Sequence, residues 1–146
     1  LTRTTSNVGG CLHDQGMWCP YDHAAAQGIR VVYQSQPERG RWYPRPRIIA
    51  LSYNLPPTLE RCVLAHELGH AHHGHGCDTD AAEREANQWA AGHLLTAEQV
   101  AAAARAYPDH PGRWAVDLSV TPKLLLTWLR TPGNYDHADR LYREAA

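Results

Sequence analysis

The sequence has no excess of charge of either sign: 14 Lys and Arg stand against 15 Asp and Glu, a net charge of −1 over 146 residues. That balance leaves no electrostatic footprint for nucleic acid or an anionic membrane, and neither is expected as a direct partner. No apolar run is long enough to span a bilayer, and the N-terminus lacks the basic-then-apolar order of a signal peptide. Internal repeats and low-complexity tracts are missing as well. These absences point to a cytoplasmic protein whose residues 1–146 form a single domain, large enough to bury a core and small for two.

Cysteine is sparse. With no export signal, Cys11, Cys19, Cys62 and Cys77 read as thiols in a reducing compartment. Cys62 stands one helical turn before His66 and should pack as a small apolar residue. Cys11 with His13 and Cys19 with His23 can be imagined around a structural zinc, but their spacing matches none of the common zinc-knuckle patterns, so unrelated side chains are expected there.

Histidine, by contrast, is plentiful: 10 residues, bunched at His66, His70, His72, His73 and His75. Within that bunch His66-Glu67-Leu68-Gly69-His70 has the H-E-x-x-H spacing. On a helix, residues four apart differ by about 40° in azimuth and roughly 6 Å in rise. Two imidazoles so placed can close on one metal ion, and Glu67 can reach a water held by it. The preceding Leu59, Cys62, Val63, Leu64 and Ala65 are apolar at helical spacing, no proline interrupts them, and Gly74 is positioned to end the helix. A core helix with two satisfied histidines is the plainer and, in that context, weaker reading. His72, His73 and His75, at the helix end, read as solvated or as partners of its C-terminal dipole.

Residues 1–19 are polar and glycine-containing and should be irregular. Pro20 to Gln27 has the marks of a short helix stopped by Gly28. Ile29 to Gln34 and Arg47 to Tyr53 are rich in β-branched and aromatic residues and are expected to be strands, paired antiparallel. Pro37 to Pro46 between them reads as a turn-rich basic connection with Arg39, Arg41 and Arg45 solvated, the alternative being a loop beside the cleft that uses them on an acidic substrate. An exposed sheet edge beside a metal would let an extended peptide add as another strand, held by backbone hydrogen bonds. Asp80 with Glu83 resembles a capping pair for a helix from about Ala81 to His93, and Thr96 with Gln99 repeats the signal ahead of Ala97–Ala106. Pro108 to Gly112 breaks the chain, Thr121-Pro122 starts a short helix to about Arg130, and Asp136 to Glu144 is expected as a weakly held helix in a loose tail, residues 131–146. The fold class is α+β: a small antiparallel sheet packed on a zincin-type active-site helix, with a mostly helical C-terminal half.

Two histidines need a third protein ligand and an open position for water. The next helix offers Glu83 and Glu85. Stepping about 100° per residue, Ala82, Ala86, Trp89, Ala90, His93 and Leu94 share a core-facing arc; Glu83 falls roughly 60° from its centre and Glu85 about 100° away on the other flank. Glu83 is the better inward candidate, with Asn87 one turn later able to support a ligand from behind. A helix-start acid paired with the dipole remains the alternative for Glu83.

These blocks resemble the ImmA/IrrE metallopeptidases, short gluzincin-like proteins found near prophage and mobile-element repressors and among stress regulators. The resemblance runs from Gly28-Ile29-Arg30-Val31-Val32 through Ile48–Leu51, the motif and Gly74-His75, to Glu83-Arg84-Glu85-Ala86-Asn87-Gln88-Trp89-Ala90-Ala91 and Leu94-Leu95. Trp89 stands where the family's E-x-E-A-N-x-F-A pattern usually has phenylalanine, and Thr96 stands near a common methionine-proline. The cysteine-bearing N-terminal stretch has no counterpart. The resemblance implies that His66, His70 and Glu83 are zinc ligands (manganese fits the same set) and that Glu67 is the catalytic base. It also implies a protein substrate, a helix-turn-helix transcriptional repressor of phage or mobile-element type, cut in its linker. With no recognisable sensor or DNA-binding domain, the chain resembles a minimal member.

The expected activity is that of a zinc-dependent endopeptidase using metal-activated water, with Glu67 taking the proton and passing it to the leaving amine. The oxyanion needs a donor besides the metal; His93, His110, Tyr53 and Tyr43 are candidates, each with a plainer structural role. The alternative is a non-proteolytic anti-repressor that docks its partner on the same scaffold. Glu67 argues against it, because a pure binder has no use for a base beside the metal. A metal-storage role for the histidines leaves the glutamates unexplained.

Overall fold

Ile48-Ile49-Ala50-Leu51 is apolar without alternation, the pattern of a strand covered on both faces. In the computed structural model, which describes residues 3–4 and 17–145, it forms the middle of the sheet. The strands are β1 (Arg3–Thr4), β2 (Arg30–Gln34), β3 (Gly40–Tyr43) and β4 (Ile48–Ser52), in the order β1-β2-β4-β3. Helix α1 (Pro20–Ala26) precedes β2, and six helices follow the sheet: α2 (Pro57–His73), α3 (Asp80–Leu94), α4 (Ala97–Ala106), α5 (Gly112–Asp117), α6 (Pro122–Arg130) and α7 (Asn134–Glu144). The fold is α+β and mostly helical.

The sheet is mixed, not antiparallel as expected. β2 and β4 run parallel, Arg30 opposite Ile48 and Gln34 opposite Ser52. The reason is a strand hidden in the basic connection. β3 returns antiparallel along the far side of β4, with Gly40 opposite Leu51 and Tyr43 opposite Ile48, so β4 inserts between its two predecessors. Arg47 N–H closes the β3–β4 turn on Tyr43 C=O at 3.1 Å. Of the stretch expected to be irregular, Arg3–Thr4 pairs antiparallel with β2; the other residues before 17 lie outside the described residues.

α2 is sandwiched, which is why a helix with apolar residues on several sides works here. Leu64 and Leu68 face the sheet with Ala24, Ile29, Val31, Ile49 and Leu51. Cys62 and Ala65 face a helical core that includes Ala90, Leu94, Val100, Leu125 and Trp128. Gly74, at a left-handed φ of 67°, caps α2 and lets His75 N–H bond back to His70 C=O at 3.0 Å. α2 and α3 approach closely at Gly69, where an added Cβ would stand 2.8 Å from the Ala86 carbonyl oxygen.

Local start signals mostly operate as expected. Thr96 and Gln99 form a reciprocal capping box, and Thr121 Oγ1 accepts from Leu124 N–H at 3.2 Å. At α3 the cap is Thr79, whose Oγ1 accepts from Ala82 N–H at 3.0 Å; the Asp80–Glu83 capping pair does not form, and Glu83 is left for other work. The last expected helix is present and starts two residues earlier. α7 is a helix of 11 residues with Ala138 buried in the helical core, its first residue tied by Asn134 Nδ2–H to Trp128 C=O at 3.0 Å. Cys19 is disulfide-bonded, while Cys62 and Cys77 are free. The expectation of thiols throughout fails at Cys19, and the cysteines no longer argue for a reducing compartment. No helix among the described residues is long and apolar enough to cross a membrane.

Candidate metal centre

α2 presents His66, Glu67 and His70 on successive turns, and α3 crosses it at Gly69 so that Glu83 lands over both histidines. His66 Nε2 and His70 Nε2 are 3.0 Å apart. Glu83 Oε2 is 3.0 Å from the first and Oε1 is 2.9 Å from the second. Asn87, one turn along α3, places Oδ1 2.7 Å from His66 Nδ1. An amide oxygen only accepts, so His66 Nδ1 carries the proton and its Nε2 is a bare lone pair. On the other side His70 Nδ1 lies 2.9 Å from His75 Nδ1. Burial and the neighbouring His66 push the His70 pKa down against the pull of Glu83, which disfavours a charged ring.

Three acceptor groups thus converge with no proton required among them, an arrangement that repels itself without a cation. Two imidazoles and a carboxylate, with outer contacts orienting the rings, fit a borderline divalent metal such as zinc.

Glu67 sits beside this cluster, 7 % exposed. Its pKa is raised to about 7, first by burial and then by the carboxylates of Glu83 and Asp78, against the backbone N–H of Trp42 and the charge of Arg41. The cleft it opens on holds about 320 Å3 and is walled by β3 residues Gly40, Arg41 and Trp42, by Glu67 and His70, and by the α2–α3 loop at Cys77 and Asp78. β3 comes this close because residue 40 has no side chain: a Cβ there would stand 2.6 Å from Val63 Cγ1 and 3.1 Å from Glu67 Cγ.

Residues 24–128, from α1 to α6, match the Peptidase_M78 family, described as the IrrE N-terminal-like domain. The chain belongs to that family. The resemblance read from the motif and from the Glu83–Ala91 block is therefore correct, and M78 membership makes a metallopeptidase the activity to consider first. No curated protein and no solved structure matches the chain. The M78 match contains every residue of the cluster and ends before α7.

Some expected neighbours are elsewhere. None of His93, His110, Tyr53 and Tyr43 lines the cleft. His93 is stacked on Trp89 with ring centroids 3.9 Å apart and donates from Nδ1 to the Trp89 carbonyl at 2.8 Å, so its position is set by its own helix. Glu85 turns away from His66 and His70, toward His73 and His75, which are consequently not simply solvated. Arg41 lines the cleft, the less favoured of the two places expected for the loop arginines, while Asp78 and His75 were not foreseen there. The Gly74 stop was the available signal for His75, because a left-handed cap folds the next residue back on its helix.

Proposed function

We propose that this M78 domain is a zinc-dependent endopeptidase in which His66, His70 and Glu83 hold the metal and Glu67 is the general base. The observation that carries this is a buried carboxylate with its pKa raised to about 7, adjacent to three convergent acceptors and facing a cleft. A base works best with a pKa near the ambient pH, and a structural acid gains nothing from such a location. When bound, the cation supplies Lewis-acid polarisation of a carbonyl and acidifies water. Glu67 takes the proton of the attacking water and returns it to the departing amine. Asn87 keeps His66 in the tautomer whose Nε2 faces inward. The Arg41 side of the cleft offers positive charge to a developing oxyanion.

The substrate we propose is a helix-turn-helix transcriptional repressor cut in its interdomain linker. Among the described residues β3 is the last strand of the sheet, so a linker in extended form has a backbone edge to pair with directly beside Glu67. Co-incubation of the zinc-loaded protein with the repressor encoded beside it, followed by intact-mass measurement, should give two fragments whose masses sum to the substrate plus water. Release of DNA by an uncut repressor would instead support the non-proteolytic anti-repressor.

A further inference from the structure

A second cluster of metal-ligating groups lies past the end of α2. His73 Nε2 is 3.6 Å and His75 Nε2 is 3.4 Å from the same carboxylate oxygen, Glu85 Oε2. The two rings are stacked, with centroids 5.2 Å apart and planes within 10°. The ligand atoms of all three residues lie within 4.8 Å of one another, and the Glu85 side chain is half exposed, so solutes reach the cluster.

Hydrogen bonding does not account for this geometry. His73 Nδ1 is 2.9 Å from the Gly69 carbonyl oxygen, which can only accept. The proton of a neutral His73 therefore sits on Nδ1, and a bare Nε2 lone pair faces a carboxylate. A positive group between them, a second proton on His73 or a metal ion, relieves that repulsion. Charge-assisted N–H···O⁻ bonds are short, about 2.7–2.9 Å. Two ligand atoms on one tetrahedral zinc, each about 2.0–2.1 Å from it, lie roughly 3.3 Å apart. The observed separations suit a shared cation better than a shared proton.

We propose that His73, His75 and Glu85 form a second site for a divalent cation of the zinc class, and that a cation there opposes metal loading at His66, His70 and Glu83. The opposition follows from one hydrogen bond and, unlike the second site itself, rests on the metal-binding role given to His70 above. The 2.9 Å contact between His70 Nδ1 and His75 Nδ1 holds a single proton. A metal on His70 Nε2 requires that proton on His70, which leaves the proton of neutral His75 on Nε2, where the second cation would bind. A metal on His75 Nε2 requires the reverse. Loading both sets two N–H groups against each other, so the contact must break.

The test is metal content after equilibrium dialysis against buffered free Zn2+, with Co2+ absorption as a second readout. The wild-type chain should take up a tight equivalent and a weaker one. His73→Ala and Glu85→Gln should lose only the weaker step. Glu83→Ala should lose the tight step, keep the other, and bind it about tenfold more tightly than the wild type does, within the usual range of couplings between sites. An unchanged second equivalent in His73→Ala and Glu85→Gln, or a wild type saturating at one equivalent that Glu85→Gln leaves intact, overturns the second site. Equal second-step affinities in wild type and Glu83→Ala overturn the opposition. A wild type lacking the tight step while retaining the one sensitive to Glu85→Gln would instead sink the catalytic reading and leave the second site standing.

Discussion

Glu67 illustrates how much of a site is fixed by one residue's surroundings. The H-E-x-x-H spacing and the family resemblance suggested a base; the raised pKa was not legible, because it depends on burial under β3 and on Glu83 and Asp78 from other elements. The shift has a consequence for stability in the metal-free protein. An acid whose folded pKa lies above its unfolded one is favoured in its neutral form on folding. Its full contribution is present below the unfolded value of 4.5 and is lost as pH rises to about 7. At about 1.4 kcal/mol per pH unit the ceiling is about 3 kcal/mol. In the presence of chelator, Glu67→Gln should therefore gain stability over the wild type at pH 8 and lose that advantage near pH 4, as read by denaturant midpoints at each pH. An advantage independent of pH would mean that Glu67 is not strained as a carboxylate.

At the scale of elements, the legible parts were those governed by local chemistry. Gly74 as a stop, Thr96 with Gln99, and Thr121 before Pro122 all act through contacts within a few residues. The β3 strand escaped notice because Gly40-Arg41-Trp42-Tyr43 is short, flanked by prolines and arginines, and gains its pairing only from β4. The expectation of an antiparallel β2–β4 pair follows from that omission, since with β3 returning between them in sequence the two strands run parallel. Gly69 and Gly92 look alike in sequence, yet the structure separates them. A Cβ at Gly69 meets the Ala86 backbone at 2.8–2.9 Å, whereas one at Gly92 meets nothing within 4 Å. Gly69→Ala should cost about 1–3 kcal/mol by overpacking and weaken zinc binding by prising Glu83 from the histidines. Gly92→Ala should stabilise by up to about 1 kcal/mol through helix propensity. Thermal melts and zinc titrations of the two variants test the contrast; equal effects would mean that the α2–α3 crossing tolerates a methyl group.

Across the whole molecule, the centre joins two layers. His66 and His70 belong to the helix that backs the sheet, Glu83 and Asn87 to the helix that opens the α-helical core. A cation shared between them would brace that joint, and binding only to the folded form would stabilise it by about 2.7 kcal/mol at a free metal concentration a hundred times Kd. Chelation should lower the melting temperature of the wild type, and Glu83→Ala should melt low with or without chelator at zinc levels that fill only the tight site. A wild type indifferent to chelator would show that α2 and α3 are held without metal. Membership of the M78 family was legible from the blocks on these two helices, which carry the candidate metal ligands. The disulfide at Cys19 was not, because without an export signal the cysteines read as thiols.

The central claim is that Glu67 is the base beside a cation held by His66, His70 and Glu83. Its most direct test is paired measurement of zinc content and repressor cleavage for the wild type and Glu67→Gln, at a free zinc level filling the tighter site. One zinc per chain in both proteins, with cleavage lost by at least about a hundredfold in the variant, is the predicted result. A zinc-loaded Glu67→Gln that cuts at the wild-type rate would contradict it.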